Sequence, residues 1–252
     1  MKKLIFNNFI NQVSYYQHYT HNVKVKYFSN VQLVNSGQAN DTFNIISGYF
    51  DADSLNNVTA YCKKNTLNVG LWIAAEESSM LSDILLESYI KDETCNIMHL
   101  ELFKINVSKT NLRFTICDNT SSFNDFINVF VSVFDVDERS DIKNFYSSLS
   151  SKILASRKMK FCVGYINNAP AAIGCIYTHN SDMSYIYSLI VTPAMQKQGY
   201  GRAMMEHLLN YINAANIKSC SLYSSTQGRN LYQNLGFSSI GDIEVYKLKT
   251  CM

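Results

Sequence analysis

The fold is decided by residues 190–203, which read Ile-Val-Thr-Pro-Ala-Met-Gln-Lys-Gln-Gly-Tyr-Gly-Arg-Ala. An apolar run that starts at Tyr185 leads into this stretch and is typical of a strand. Apolar residues at helical spacing follow it, namely Met204, Met205, Leu208, Leu209, Ile212 and Ala215. The stretch therefore predicts a strand, a glycine turn and a helix. Glycines let a ligand approach the main chain, and the first turn of a helix offers unpaired N–H groups to an anion. An anion-binding turn and a plain helix start both fit these residues.

Two familiar glycine motifs do not fit the turn. A Walker loop ends in Gly-Lys-Ser or Gly-Lys-Thr, whereas Gly201 is followed by Arg202 and Ala203. A dinucleotide-binding fingerprint needs a glycine or alanine three residues beyond Gly201, where Met204 stands. The sequence thus gives no sign of a nucleoside-triphosphate or nicotinamide site of either kind.

Two motifs together resemble one family. Residues 196–201, Gln-Lys-Gln-Gly-Tyr-Gly, resemble the Gln/Arg-x-x-Gly-x-Gly/Ala motif of the GNAT superfamily, the acyl-CoA-dependent N-acyltransferases. The motif follows a strand that ends in Val-x-Pro, as it does in that family. Residues 228–237, Gly-Arg-Asn-Leu-Tyr-Gln-Asn-Leu-Gly-Phe, resemble the family's Leu-Tyr-x-x-x-Gly-Phe segment. The two motifs come in the family's order, with one predicted helix and one predicted strand between them.

Composition narrows the class of protein. The chain has 252 residues, of which 47% are hydrophobic and 17% charged, so it can bury a core. A net charge of +2, without any basic run longer than two residues, argues against a nucleic-acid partner. Seven scattered cysteines without C-x-x-C spacing fit reduced thiols, and the five histidines form no metal-ligand pattern. No apolar run approaches the roughly 18 residues of a membrane span. We therefore expect a cytoplasmic protein that binds no metal, no nucleic acid and no membrane.

The first half predicts strands at Phe43–Phe50, Asn68–Ile73 and Met98–Phe103, with helices between them. This order resembles the degenerate amino-terminal half of some two-part GNAT proteins. It lacks the glycine motif, so we expect it to bind no cofactor and to pack against the catalytic half. Polar residues near 105–112 suggest a linker, which predicts a degenerate domain at 1–108 and a catalytic domain at 109–252.

The second half predicts a strand, two helices, three antiparallel strands, a helix, a strand, a helix and a strand. The predicted strands span Leu112–Cys117, Lys160–Ile166, Ala171–Tyr177, Tyr185–Val191, Ser219–Tyr223 and Ile243–Leu248. That order is the one found in the GNAT family. The predicted fold class is α/β (α+β): a GNAT fold with a mixed, mostly antiparallel central sheet flanked by helices, joined to a second, degenerate GNAT-like domain.

The resemblance implies a binding site for acetyl-CoA in a cleft where strand Tyr185–Val191 diverges from strand Ser219–Tyr223. Unpaired main-chain groups of Leu189 and Val191 would pair with the pantetheine arm. The pyrophosphate would lie against the motif and the residues after it, namely Gln196, Lys197, Gln198, Gly199, Tyr200, Gly201, Arg202 and Ala203. Its hydrogen bonds would come from the N–H groups of Gln198, Gly199, Gly201, Arg202 and Ala203. The side chains of Lys197 and Tyr200 would point outward.

The resemblance also assigns a catalytic tyrosine, because Tyr232 matches the family residue that donates a proton to the departing thiolate. Two departures from the family are visible. Many relatives carry a glutamate base on the strand before the glycine turn, but residues 184–191 contain no carboxylate. Asp182, Tyr187 or Ser188 could act through water, or the amine could arrive neutral. Ser225 stands where many relatives have an asparagine, which puts one cofactor contact in doubt.

The expected function is transfer of an acetyl group from acetyl-CoA to a primary amine of a small molecule or peptide, by direct attack. The alternative is a catalytically inactive module that binds CoA or another protein. The two differ in whether an acceptor amine causes release of free CoA thiol. The sequence leaves the acceptor and the oligomeric state open, a homodimer included.

Overall fold

The computed structural model of the chain describes residues 8–102 and 110–249. The predicted boundary between residues 108 and 109 lies outside the described residues and stays a prediction. The chain forms two compact units that are not continuous in sequence. Unit 1 comprises Met1–Met98, Tyr223–Asn230 and Ser239–Met252, and unit 2 comprises His99–Leu222 and Leu231–Ser238.

The elements follow one another along the chain as helices and strands. The helices are α1 (Asn8–Tyr15), α2 (Ala52–Lys64), α3 (Ala75–Met80), α4 (Ser82–Ser88), α5 (Thr120–Val131), α6 (Val136–Ser147), α7 (Tyr200–Ala214) and α8 (Arg229–Gln233). The strands are β1 (Lys24–Phe28), β2 (Val31–Asn35), β3 (Ile45–Gly48), β4 (Gly70–Ala74), β5 (Tyr89–Glu101), β6 (Arg113–Ile116), β7 (Met159–Ile166), β8 (Ala169–Thr178), β9 (Met183–Val191), β10 (Ser219–Ser224) and β11 (Ser238–Leu248). Short 3-10 turns occupy Tyr16–His18, Ser151–Ala155 and Pro193–Met195. Across the described ranges, no helix has the length and apolar character needed to cross a membrane.

Unit 1 is a sheet with strand order β1-β2-β3-β4-β11-β5. Strands β3 and β4 run parallel, whereas β1–β2, β2–β3 and β4–β11 are antiparallel. Leu71 and Ile73 of β4 are fully buried in a core with Leu55 and Val58 of α2. The side chain of Trp72 lies between them in sequence and therefore on the other face, since side chains alternate along a strand. There it is half-buried, with its ring 4.3 Å from that of Phe9.

The side chain of Asp51 caps the start of α2. The Asp51 carboxylate accepts a hydrogen bond from the Ser54 N–H at 2.7 Å, and the Ser54 hydroxyl accepts one from the Asp51 N–H at 3.1 Å. This hydrogen bond from the Ser54 N–H lowers the pKa of Asp51 below its ordinary value. Asp53 adds a second negative charge in the first turn. A phosphate would meet two carboxylates at this helix start, so the position is unsuited to an anion.

Unit 2 is a sheet with strand order β10-β9-β8-β7-β6. Its β9–β10 pair is parallel and the other pairs are antiparallel. The buried apolar residues of α5 recur at helical spacing and pack on this sheet. The ring of Phe126 is fully buried and lies 5.0 Å from the Phe161 ring of β7. The ring of Tyr146 from α6 closes the cluster, 5.9 Å from that of Phe126. The predicted order of elements in the second half is confirmed.

Candidate functional site

The glycine turn between β9 and α7 contains two residues in the left-handed backbone region. Lys197 has φ +60° and Gly199, which caps the start of α7, has φ +85°. A side chain costs roughly 1–2 kcal/mol in this region, and glycine has no such cost. The side chain of Gln196 donates to the Val191 carbonyl at 3.2 Å, and that of Gln198 donates to the Ala194 carbonyl at 3.4 Å. These two amides fix the path by which the chain reverses from the strand into the helix.

The turn presents a row of main-chain donors. Across the described residues, no protein group accepts a hydrogen bond from the N–H of Gln198, Gly199, Gly201 or Arg202. The N–H of Ala203 donates to the Gly199 carbonyl at 3.0 Å, which is the first hydrogen bond of α7. Four of the five expected amides are therefore open to a ligand and the fifth is engaged in the helix. No side chain among the described residues caps this helix start, and its first turn contains no acidic residue, so the positive end of the helix dipole is exposed.

A cavity of about 460 Å³ lies directly against these donors. Its walls are Thr110, Asn111, Gln198, Gly199, Tyr200, Arg202 and Ala203. A Cβ atom added at Gly199 would meet nothing within 4 Å, whereas one added at Gly201 would lie 3.6 Å from a Val191 methyl group and 3.8 Å from a Leu231 methyl group. Both glycines therefore have space for a methyl group in the absence of a ligand.

The side chains of Lys197, Tyr200 and Arg202 differ in their exposure and in the groups that they contact. Lys197 is exposed, as expected. Tyr200 is half-buried against an apolar cluster that includes Leu112 and Ile166, so the prediction that its side chain points outward is wrong. The Arg202 side chain donates from Nε to the buried carboxylate of Glu206 at 2.8 Å, one helical turn further on. Because Arg202 is paired in this way, the Glu206 carboxylate offsets part of its positive charge.

The cleft predicted between the two strands is present. Strands β9 and β10 pair at three positions, from Met183 with Ser219 to Tyr185 with Ser221. Both strands continue beyond this point, to Val191 and Ser224, without further pairing between their described residues. Main-chain groups of β9 from residue 186 onward therefore face a gap on the β10 side.

A β-bulge lies inside the gap. The register between β8 and β9 shifts so that Ser188 and Leu189 together oppose Gly174. Ser188 has φ +55°, an uncommon value for a residue that is not glycine. The bulge changes the direction of the main chain at Leu189, which is half-buried beside the gap. Sequence reasoning missed this feature, because neither a glycine nor a proline marks it.

Tyr232 lies in α8 and is nine-tenths buried. Its ring packs edge-on against Phe237 at 5.9 Å, and the Phe237 N–H donates to the Tyr232 carbonyl at 3.0 Å through a turn in which Gly236 has φ +93°. Burial raises the pKa of the phenol to about 12, and the nearby Cys220 thiol contributes to the increase. Tyr232 is therefore protonated throughout the physiological pH range.

Two further predicted contributors, Ser225 and Asp182, have hydrogen-bond or ion-pair partners of their own. Ser225 belongs to unit 1, where its carbonyl accepts hydrogen bonds from the Ser224 hydroxyl and the Gly228 N–H. Asp182 forms an ion pair with Lys218 at 3.0 Å, at the end of β9 where the strands are paired. Six residues of strand separate Asp182 from Ser188, or about 20 Å at 3.3 Å per residue. Asp182 therefore lies at the paired end of β9, outside the gap.

The sequence was compared with known protein families. Residues 134–247 match the family described as acetyltransferase (GNAT) domain. Residues 134–247 are thus similar in sequence to a GNAT domain. No curated protein matches the sequence.

Solved structures show the same fold over most of the chain. A GCN5-related N-acetyltransferase from Kribbella flavida aligns with a TM-score of 0.71 at 9% identity, covering 95% of this chain and 93% of that one. A GCN5-related N-acetyltransferase from Sphaerobacter thermophilus has a TM-score of 0.62 at 9% identity, covering 88% and 82%. A tandem GNAT protein from the clavulanic acid biosynthesis pathway has a TM-score of 0.62 at 8% identity, covering 86% and 77%. At these identities the likeness shows the fold, and the predicted two-part GNAT architecture is confirmed.

The GNAT assignment supports acyl transfer in general. Within the parts of the chain that the structure describes, no group of three or more His, Cys, Asp or Glu side chains could hold a metal ion.

Proposed function

We propose that the protein is an N-acetyltransferase that moves the acetyl group of acetyl-CoA to a primary amine of a small molecule or peptide. The observation that carries this proposal is the row of unpaired N–H groups at the uncapped start of α7, next to the gap between β9 and β10. A pyrophosphate fits such a helix start. The main chain of β9 along the gap, at Leu189 and Val191, then suits the amides of the pantetheine arm, which would share the Val191 carbonyl with the Gln196 side chain.

The reaction in this site forms a C–N bond and breaks the thioester C–S bond. The amine nitrogen attacks the carbonyl carbon, loses one proton and keeps the acetyl group, while the sulfur leaves and gains one proton. Tyr232, protonated and buried, is suited to donate a hydrogen bond to the departing sulfur. A thiol has a reference pKa of about 8.5, so the phenol is the weaker acid and full proton transfer from it is uphill. Tyr232 therefore stabilises the developing thiolate by its hydrogen bond, and the proton that the thiol finally carries is matched by the one that the amine loses.

A catalytically inactive CoA-binding module is the competing function. The observation that favours it is the absence of a carboxylate from residues 184–191. The two functions share the acetyl-CoA site and differ in chemistry, since only the enzyme releases CoA thiol in response to an amine.

Binding is tested by calorimetry and thermal shift with acetyl-CoA, using wild type beside Gly201→Glu. The new carboxylate would stand among the unpaired N–H groups and should abolish binding. Asn213→Glu, on an exposed position of the last turn of the same helix, is the matched control for added charge and should bind like wild type. Ligand at 100 times its Kd should add about 2.7 kcal/mol to the free energy of unfolding. Wild type that binds neither acetyl-CoA nor CoA would refute the proposal.

A further inference from the structure

Three side chains outside the site described above form a hydrogen-bonded chain within unit 2. Nδ1 of His99, at the end of β5, lies 2.8 Å from the hydroxyl oxygen of Ser221 on β10. Nε2 of the same ring lies 3.0 Å from a carboxylate oxygen of Glu101. Ser221 is fully buried and His99 almost so, whereas the Glu101 side chain is 53% exposed. The chain therefore leads from a buried hydroxyl to solvent.

The two hydrogen bonds that link Ser221, His99 and Glu101 have only one possible direction when the imidazole is neutral. An ionised carboxylate can only accept, so Nε2 must carry the ring proton that points at Glu101. Nδ1 is then an acceptor, and the Ser221 hydroxyl donates to it. The same arrangement, hydroxyl to imidazole to carboxylate, lets an imidazole take a proton from one side and be stabilised as a cation from the other.

The position of Ser221 connects this chain to the gap between β9 and β10. Ser221 forms the last pair with Tyr185 before the strands separate. Ser221 therefore stands at the point where the gap begins.

We propose that Ser221, His99 and Glu101 form a proton relay that takes the proton from the attacking amine. This inference rests on the proposed function, because the relay needs a thioester in the gap. Ser221 is the group that meets the substrate, directly or through one water, and His99 and Glu101 are positioning residues that act through it. The relay supplies the base that residues 184–191 lack.

The proton count of the relay balances. Attack forms the C–N bond and leaves a positive nitrogen that must lose one proton. The Ser221 oxygen accepts that proton as its own hydroxyl proton passes to Nδ1 of His99. The imidazolium is held by the Glu101 carboxylate, and the proton on Nε2 leaves to solvent through the exposed carboxylate. The C–S bond breaks toward sulfur, and the Tyr232 hydroxyl donates a hydrogen bond to that sulfur.

The test separates a relay from a merely structural hydrogen bond by substituting His99→Asn. The asparagine amide oxygen can still accept from Ser221, but it cannot carry a proton. Hydroxylamine is the probe acceptor, because it is small enough to need no specificity pocket and its product, acetohydroxamate, is measured by colour with ferric ion. Calorimetric binding of acetyl-CoA is measured for every variant, to show that each folds and keeps its donor site. Ser221→Ala and Glu101→Gln complete the series.

General base catalysis contributes about 100- to 10,000-fold to a rate, so His99→Asn and Ser221→Ala should lower kcat by about 100-fold or more with the Kd for acetyl-CoA unchanged. Glu101→Gln should lower kcat by a smaller factor. The rate of wild type in mixtures of H₂O and D₂O should curve with deuterium content, as several protons move together, and that of His99→Asn should not. If His99→Asn turns over like wild type, the relay is refuted while the acetyltransferase stands. If wild type binds acetyl-CoA but forms no protein-dependent hydroxamate, the relay is refuted as well. If wild type binds no acetyl-CoA, the proposed function itself fails.

Discussion

The two glycines of the turn should respond differently to substitution by alanine. Gly199 has φ +85°, and a Cβ atom there would meet no atom within 4 Å, so its cost is the backbone conformation alone. Gly199→Ala should therefore lower the free energy of unfolding by roughly 1–2 kcal/mol. Gly201 lies in the first turn of α7 without a positive φ, and its added methyl group would lie at ordinary contact distances of 3.6 and 3.8 Å. Gly201→Ala should leave stability unchanged or raise it by up to about 1 kcal/mol, since alanine favours a helix over glycine.

Urea denaturation followed by circular dichroism measures both changes as shifts in the urea concentration at the middle of the unfolding transition. Comparing these midpoints does not require the two units to unfold in a single step. Gly199→Asn is the matched control, because asparagine tolerates the left-handed region and should recover part of the loss. Equal effects of alanine at the two glycines, or stabilisation by Gly199→Ala, would contradict the turn geometry described above.

The remaining predictions concern a core ring, a buried phenol and a helix cap. Phe126→Ala should lower the free energy of unfolding by about 3–5 kcal/mol, with Phe126→Leu costing clearly less; a loss under about 1 kcal/mol in chemical denaturation would mean that the ring is not in a core. Because the pKa of Tyr232 is raised to about 12 in the folded chain, its contribution to stability should be complete below pH 10 and lost as the pH rises toward 12. Tyr232→Phe should reduce that alkaline loss and also lower kcat without weakening acetyl-CoA binding, and an unchanged alkaline profile would argue against burial of the phenol. Asp51→Ala should lower the melting temperature of unit 1 through loss of the cap of α2, whereas Asp53→Asn should have little effect on it; equal effects would show that charge, and not the cap, matters there.

Local features of the sequence predict much of the fold and of the candidate site. The glycine turn and α7 follow from residues that are neighbours in sequence, because a helix start and a left-handed residue are local properties. The buried face of α5 is likewise visible in the helical spacing of its apolar residues. What local patterns do not show is which strands become partners.

The features that the sequence did not predict are formed by residues that lie far apart in the sequence. The last strand is expected in the second half, yet β11 pairs with β4 of the first half, and no pattern within either strand identifies that partner. Ser188 forms a bulge only because β8 and β9 pair on both sides of it. His99 and Ser221 are 122 residues apart, so no motif spacing could join them. Tyr200 is half-buried against a cluster that includes Leu112, Ile166 and Ala171, residues that are distant from it in sequence.

The division of the chain into interleaved segments has a consequence for its synthesis. Unit 1 contains residues 239–248 of β11, which pair with β4 and lie between β4 and β5 in the strand order. On the ribosome, β1 to β5 emerge long before β11, so the sheet of unit 1 has an open place in its middle while unit 2 is being made. Strands with unpaired edges are prone to associate with other chains. The nascent first half should therefore depend on chaperones until β11 is synthesised, and a truncation before residue 238 should leave an aggregating polypeptide in place of a smaller folded protein.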